Sequence, residues 1–198
     1  MIGVIDYGAG NIGSLMNALR RLETQALLLK DPAQMQHCEK IIFPGDGHFA
    51  SAADALSQSG YDQSIREWIQ KDKPFLGICI GLQLLFDSSE EAPGAAGLGI
   101  IHGTVRRFPG RKVPQIGWNQ TYASTSSKLL EGLPPNSFFY YIHSYYVLPT
   151  EESVIAAYAE YGLQYCSAIE QGALAAVQFH PEKSGTVGLA LLKNWLNR

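Results

Sequence analysis

The sequence has no excess of basic charge: 15 Lys and Arg stand against 18 Asp and Glu, a formal net charge of -3, and the pI is near 5.9. Binding a phosphate backbone needs clustered Lys and Arg, so nucleic acid is set aside as a partner. Long apolar runs are also missing. None approaches the roughly 20 residues that cross a bilayer, and Met1 to Asp6 lacks the basic flank and cleavage site of a signal peptide. The expectation is a cytoplasmic protein without a membrane partner. Cysteine is scarce, with Cys38, Cys79 and Cys166 odd in number, far apart and without a CxxC pair. That spacing argues against a structural zinc or a redox pair, leaving free thiols of which one can react. No repeat or low-complexity linker divides the 198 residues, and 46% hydrophobic with 17% charged residues suits one domain over 1–198 with a full core.

What is present is an alternation of patterns. Short apolar runs at Ile2 to Ile5, Ala26 to Leu29, Lys40 to Phe43 and Phe75 to Ile78 alternate with helical periodicity at Ile12 to Leu22 and Tyr61 to Gln70. That order predicts βα units around a parallel sheet. The second half is richer in strands, at Ile100 to Phe108, Phe138 to Leu148, Val154 to Tyr158, Tyr165 to Ile169 and Leu174 to Phe179, which predicts a mixed or antiparallel extension. A last helix is expected from Thr186 to Leu196, where Val187, Ala190, Leu191 and Trp195 recur at helical spacing. Glu90 to Gly99, with one proline and three glycines, reads as a surface loop.

The stretch Lys73 to Phe86 is an apolar strand, a Gly-x-Cys-x-Gly turn at Cys79 and a helix starting near Gly81. This is a nucleophile elbow with Cys in place of Ser. Small residues on both sides let the turn tighten, and a helix amino end favours a thiolate. The Ile80 backbone N–H can then face a developing oxyanion. A lone Cys is more often a buried structural residue; the elbow reverses that expectation for Cys79 and leaves Cys38 and Cys166 as core.

A thiol nucleophile needs a base held by a third group. Val177-Gln-Phe-His180-Pro-Glu182 supplies both. Pro181 pushes His180 towards an extended conformation, where residues two apart point to one side, so the Glu182 carboxylate can fix the imidazole tautomer. Both segments lie at carboxyl ends of strands, where open parallel sheets bind ligands. A polar turn is the blander reading of His-Pro-Glu alone. Pro44-Gly-Asp-Gly47 follows another strand, and its glycines allow close backbone approach to a ligand. It reads as an oxyanion strand whose N–H groups near Gly47 assist Ile80, or equally, by itself, as an ordinary βα loop.

In this spacing the elbow, the His-Pro-Glu segment and the Pro-Gly-x-Gly loop resemble the class I (triad) glutamine amidotransferases. Within that class Asp6 to Asn11, Pro114 to Asn119, His143 to Tyr146 and Phe179 to Ser184 are similar to the glutaminase subunits of imidazole glycerol phosphate synthases. The resemblance implies a flavodoxin-like α/β fold, an open sheet with helices on both faces, and one amidotransferase domain. It implies a catalytic triad of Cys79, His180 and Glu182 and glutamine contacts from Gly47, Gln83, Glu91, Ser144 and Tyr145, with no cofactor. Gln83, one helical turn after Cys79, faces the same site, and Glu91 could bind the substrate ammonium group. One departure is Asp46, where that family usually has an apolar residue. An anion beside an oxyanion is harmful, so its carboxylate is expected to face away.

Ammonia released into water is protonated and lost, so an acceptor protein is expected. The resemblance makes it a cyclase subunit with a (βα)8 barrel, forming a heterodimer. Docking favours aromatic anchors, which makes Trp118, Tyr140 and Tyr141, with Asn11 and Lys183, the interface candidates. Glutaminases serving anthranilate, aminodeoxychorismate or pyridoxal phosphate synthases stay open as alternatives, as does a pseudoenzyme. The rival from a different class is a nicotinamide-dependent oxidoreductase, because Gly8-Ala-Gly-Asn-Ile-Gly13 is a literal GxGxxG with Asp31 near the end of the next strand.

Overall fold

The computed structural model describes residues 1–8, 12–124 and 127–198. The first half comprises β1 (Ile2–Ile5), α1 (Ile12–Arg21), β2 (Ala26–Leu29), β3 (Lys40–Gly45), α2 (Phe49–Ser59), α3 (Tyr61–Gln70), β4 (Phe75–Cys79) and the single turn α4 (Ile80–Gln83). The second half supplies β5 (Ser88–Ser89), β6 (Gly103–Arg107), β7 (Gln115–Ala123), β8 (Phe138–His143), β9 (Tyr145–Pro149), β10 (Ile155–Glu160), β11 (Gln164–Gln171) and β12 (Leu174–Val177). A 3-10 turn at Pro181–Lys183 then leads into α5 (Gly185–Leu196).

Five strands run parallel in the order β2-β1-β3-β4-β12. With β12 counted as fifth this is the flavodoxin-like order 2-1-3-4-5, not the two-halved order of dinucleotide-binding sheets. The oxidoreductase reading is corrected on that ground: Gly8 and Gly13 flank a β1–α1 connection in a sheet without the second half that a dinucleotide spans. Gly10 lies outside the described residues. From β12 the sheet continues antiparallel through β11, β10, β7 and β8, with β9 on β11 and β6 on β9.

The period of two along each strand divides the core. In β3, Ile41 and Phe43 pack with Phe49 and Leu56 of α2 and with Ile65 and Trp68 of α3. Ile42 points oppositely and joins Leu15 and Leu19 of α1 and Leu191 and Trp195 of α5. Helices thus cover both faces of the parallel region. Among the described residues no helix is long and apolar enough to cross a membrane.

Four segments depart from the sequence reading. Ile100 and Ile101 do not join a strand, because both amides bond the Leu85 carbonyl. The run Phe138 to Leu148 breaks at Ser144: β8 pairs with β7, whereas β9 pairs with β6 and β11. The helix α2 and the strand β7 were not anticipated. The ends of α2 are nevertheless marked, by His48, whose Nδ1 accepts from the Ala50 N–H, and by Gly60 in a left-handed C-cap at φ 74°.

Candidate active site

Cys79 closes β4 with φ 56° and ψ -108°, a conformation that costs a non-glycine residue roughly 1–3 kcal/mol. The flanking glycines make this turn possible by close packing. A Cβ on Gly81 would stand 2.1 Å from the Phe43 carbonyl oxygen, and one on Gly77 would stand 2.7 Å from that of Gly81. The strain aims the thiol away from the sheet towards a cleft of about 260 Å³. Cys79, Ile80, Gly47, Asp46, Gln83, Glu91, Ser144, Tyr145, His180 and Lys183 all contribute to the cleft wall. The register Gly45↔Cys79 sets the Pro44–Gly47 loop beside Cys79, with Gly47 at φ 90°.

β12 is the parallel neighbour of β4 on the other side, so the chain leaving it brings His180 to the same end of the sheet. His180 is extended at φ -102° and ψ 94°. Glu182 follows in a 3-10 turn, not in the continued extension expected from the sequence, yet its Oε1 lies 2.8 Å from His180 Nδ1. Both side chains are buried. The backbone of His180 is fixed from β8: its N–H donates to the Tyr140 carbonyl at 2.9 Å. The Ser184 hydroxyl donates to the His180 carbonyl at 2.6 Å and accepts from the Tyr140 N–H at 3.0 Å. Ser184, unremarked in the sequence except as part of a motif, thus ties the His180 backbone to β8.

Burial is the largest single influence on the imidazole and pushes its pKa down, but Cys79 and Glu182 together reverse this and hold it above the ordinary value. Among the described residues Nε2 has no hydrogen-bond partner of standard geometry, although Cys79 is close enough to raise its basicity. Such contacts are often long before substrate arrives. Nε2 and Glu182 Oε2 are buried atoms without hydrogen-bond partners among the described residues, and an unsatisfied buried polar atom in a native fold calls for a reason such as chemistry.

The remaining predicted contacts divide. Gln83 is buried, and its Nε2 donates both to the Tyr145 carbonyl at 3.2 Å and to Gln178 Oε1 at 3.0 Å, leaving its Oε1 for a ligand. Glu91 uses Oε2 to accept the Phe49 N–H at 2.7 Å, at the start of α2. Asp46 lines the cleft and also a second depression with Tyr7, Gly8 and His48. Cys38 and Cys166 are buried and free; burial raises both thiols, that of Cys166 to about 12.

Of the interface candidates, Trp118 is 57% exposed and meets the half-buried Tyr140 edge-on at 6.2 Å, and Lys183 Nζ lies 5.9 Å from the Tyr140 ring centre. Tyr141 is a correction. It is fully buried, and its hydroxyl is 2.7 Å from Thr121 Oγ1, because neighbours on a strand face opposite sides. Asn11 lies outside the described residues. The exposed face of the β7–β8 ribbon instead carries Ile116, Phe138 and Ile142 with Trp118, and Ile142 also lines the catalytic cleft. The period of two in Phe138-x-Tyr140-x-Ile142 was the available signal.

With this geometry in place, comparison with known proteins is informative. The family model of glutamine amidotransferase class-I matches residues 3–198. Imidazole glycerol phosphate synthase subunit HisH of Dehalococcoides mccartyi is 43% identical over 196 residues, 98% of this chain and 96% of that one. A plant relative, imidazole glycerol phosphate synthase hisHF, chloroplastic, of Arabidopsis thaliana, is 44% identical over all of this chain, which covers 34% of that protein. A crystal structure of a glutamine amidotransferase superposes with a TM-score of 0.78 at 20% identity over 98% of each chain, a likeness of fold. The chain belongs to the class-I glutamine amidotransferases and, within them, to the HisH subunits of imidazole glycerol phosphate synthase.

Proposed function

We propose that this chain hydrolyses glutamine to glutamate and ammonia at Cys79 and passes the ammonia to a cyclase subunit with a (βα)8 barrel, which forms imidazole glycerol phosphate and an aminoimidazole carboxamide ribotide in histidine biosynthesis. The observation that carries this reading is the meeting of the strained Cys79 elbow with the buried His180–Glu182 pair in one cleft. Cys79 sulfur attacks the carboxamide carbon, and the thiol proton is carried by His180 to the departing nitrogen, so that ammonia leaves and a thioester remains. Water then attacks the thioester with His180 as base, releasing glutamate and restoring the thiol. Glu182 keeps the imidazole oriented and stabilises its charge. The Ile80 and Gly47 N–H groups are the oxyanion donors, and Gln83, Glu91, Ser144 and Tyr145 hold the substrate.

The partner reading draws support from the apolar face of the β7–β8 ribbon, which borders the cleft through Ile142. Trp118 and Lys183 meet there on Tyr140, whose backbone also bonds His180. The Arabidopsis relative, far longer than this chain, supports a second activity joined to the first. The deciding experiment compares wild type with Cys79→Ala in complex with the cyclase. Glutamine-dependent synthesis should vanish while ammonium-dependent synthesis persists, and glutamate release by the alanine variant would end the proposal.

A further inference from the structure

Beneath the nucleophile lies a buried amide that the triad does not account for. Gln178 is fully buried, and its Nε2 lies 3.7 Å from Cys79 Sγ, within the range for a hydrogen bond to sulfur. We infer that Gln178 is a positioning residue for the nucleophile, with an N–H held on the Cys79 sulfur by a polarity that the Tyr145 carbonyl sets through the Gln83 amide. This rests on Cys79 being the nucleophile.

The argument is one of donors and acceptors. A carbonyl oxygen only accepts, so the atom of Gln83 at 3.2 Å from the Tyr145 oxygen must be its NH2 group. That same NH2 is 3.0 Å from the Gln178 side chain, which must therefore present its oxygen there. The Gln178 NH2 is left to face Cys79. Turning either amide over would set two acceptors or two donors against each other at a buried contact, and each unmet buried group costs on the order of 1–3 kcal/mol. Both amide orientations are thus fixed by one backbone oxygen. That oxygen is itself held by His143, whose Nδ1 lies 2.7 Å from it. Burial, the largest influence, lowers the pKa of His143 to about 4, so near pH 7 the ring is neutral and Nδ1 carries its proton towards the carbonyl. The main chain of Gln178 is anchored as well, its N–H donating to the Ser167 carbonyl at 2.9 Å.

An N–H aimed at sulfur favours negative charge there and restrains the side-chain rotation of Cys79. Both effects act on the attack step and the thioester-releasing step, and neither requires contact with glutamine. The signature is accordingly a fall in kcat with little change in KM.

The test uses Gln178→Met, which keeps the length and loses the N–H, and Gln178→Glu, which sets an acceptor against the sulfur, both in complex with the cyclase. Glutamate release by Gln178→Met should fall roughly ten- to a hundredfold in kcat, the worth of one hydrogen bond to a charged group, with KM for glutamine within about threefold. Gln178→Glu should be slower still. Alkylation of Cys79 by iodoacetamide at pH 7 should slow in the same order, while the melting temperature of the chain and its binding to the cyclase stay unchanged and report the fold. Wild-type kcat and alkylation rate in Gln178→Met would overturn the inference, as would a loss confined to KM. Should the substitutions prevent folding, NMR of the unmutated protein decides: the Gln178 side-chain amide resonances should move when Cys79 is alkylated, and unmoved resonances would refute the contact. Absence of glutamate release from the wild-type complex would instead sink the glutaminase reading itself.

Discussion

His180 Nδ1 and Glu182 Oε1 lie 2.8 Å apart in side chains only 5% and 4% exposed, with a single residue, Pro181, between them in the chain. The proposed base and its orienting acid are thereby set by local backbone geometry, and the proposed nucleophile is brought from a strand distant in the chain.

This division of roles fixes an order of damage. His180→Asn removes the group proposed to move the thiol proton and should cost on the order of a thousandfold or more in glutamate release. Glu182→Gln should be roughly a hundredfold milder, since an orienting acid takes no part in bond making. Steady-state assays of the two variants in the complex check this, and the reverse order would assign the roles differently.

The raised basicity of His180 has a consequence for pH. Because the folded protein favours the imidazolium, this group's stability contribution is complete below the unfolded value of about 6.5 and is lost as pH rises through the folded value. Cys79→Ala removes one of the two groups that raise it, so the NMR titration midpoint of His180 should drop by roughly one unit or more. An unchanged midpoint would show that Glu182 alone sustains the shift.

Thiol chemistry should be confined to one cysteine. A diazo-ketone analogue of glutamine is expected to label Cys79 and spare Cys38 and Cys166, whose buried thiols are raised above their ordinary values. Peptide mapping by mass spectrometry reads the result, and modification of Cys166 at a comparable rate would contradict it.

Adjacent tyrosines and a nearby tryptophan should respond differently. Trp118→Ala removes an exposed ring and should weaken cyclase binding by about 2 kcal/mol, roughly thirtyfold, with the melting temperature of the free chain unchanged. Tyr141→Phe leaves Thr121 Oγ1 without its buried partner and should lower stability by about 1 kcal/mol with no change in binding. Calorimetry of both variants separates the two outcomes.

The loop beside the nucleophile offers a test of coupling. Gly47 sits at φ 90° with open space around its missing Cβ, so Gly47→Ala is disfavoured by backbone conformation and not by a clash. If partner binding completes the oxyanion hole by rotating a peptide here, the alanine variant should lose most of the partner-stimulated rate, up to a hundredfold or more, and little of the basal one. Equal losses in both would exclude the gate.

The sequence by itself determined the chemistry-bearing segments. The Gly-x-Cys-x-Gly elbow and His-Pro-Glu turn are legible because their constraints are local: glycines where backbone carbonyls crowd, a proline that sets the preceding residue, a carboxylate two positions from an imidazole. The βα alternation was equally open to reading, since a strand and a helix bury their faces with different periods. Tertiary structure alone decided the rest. That Tyr140 faces outward and Tyr141 inward depends on which side of the β7–β8 ribbon meets Phe139 and Phe179, a choice no single strand can express. That Gln178 points at Cys79 depends on β12 lying beside β4 and on a carbonyl from the distant Tyr145. An amide just after an apolar strand carries no mark of its partner in the chain, because hydrogen bonds across a core are set by which strands become neighbours.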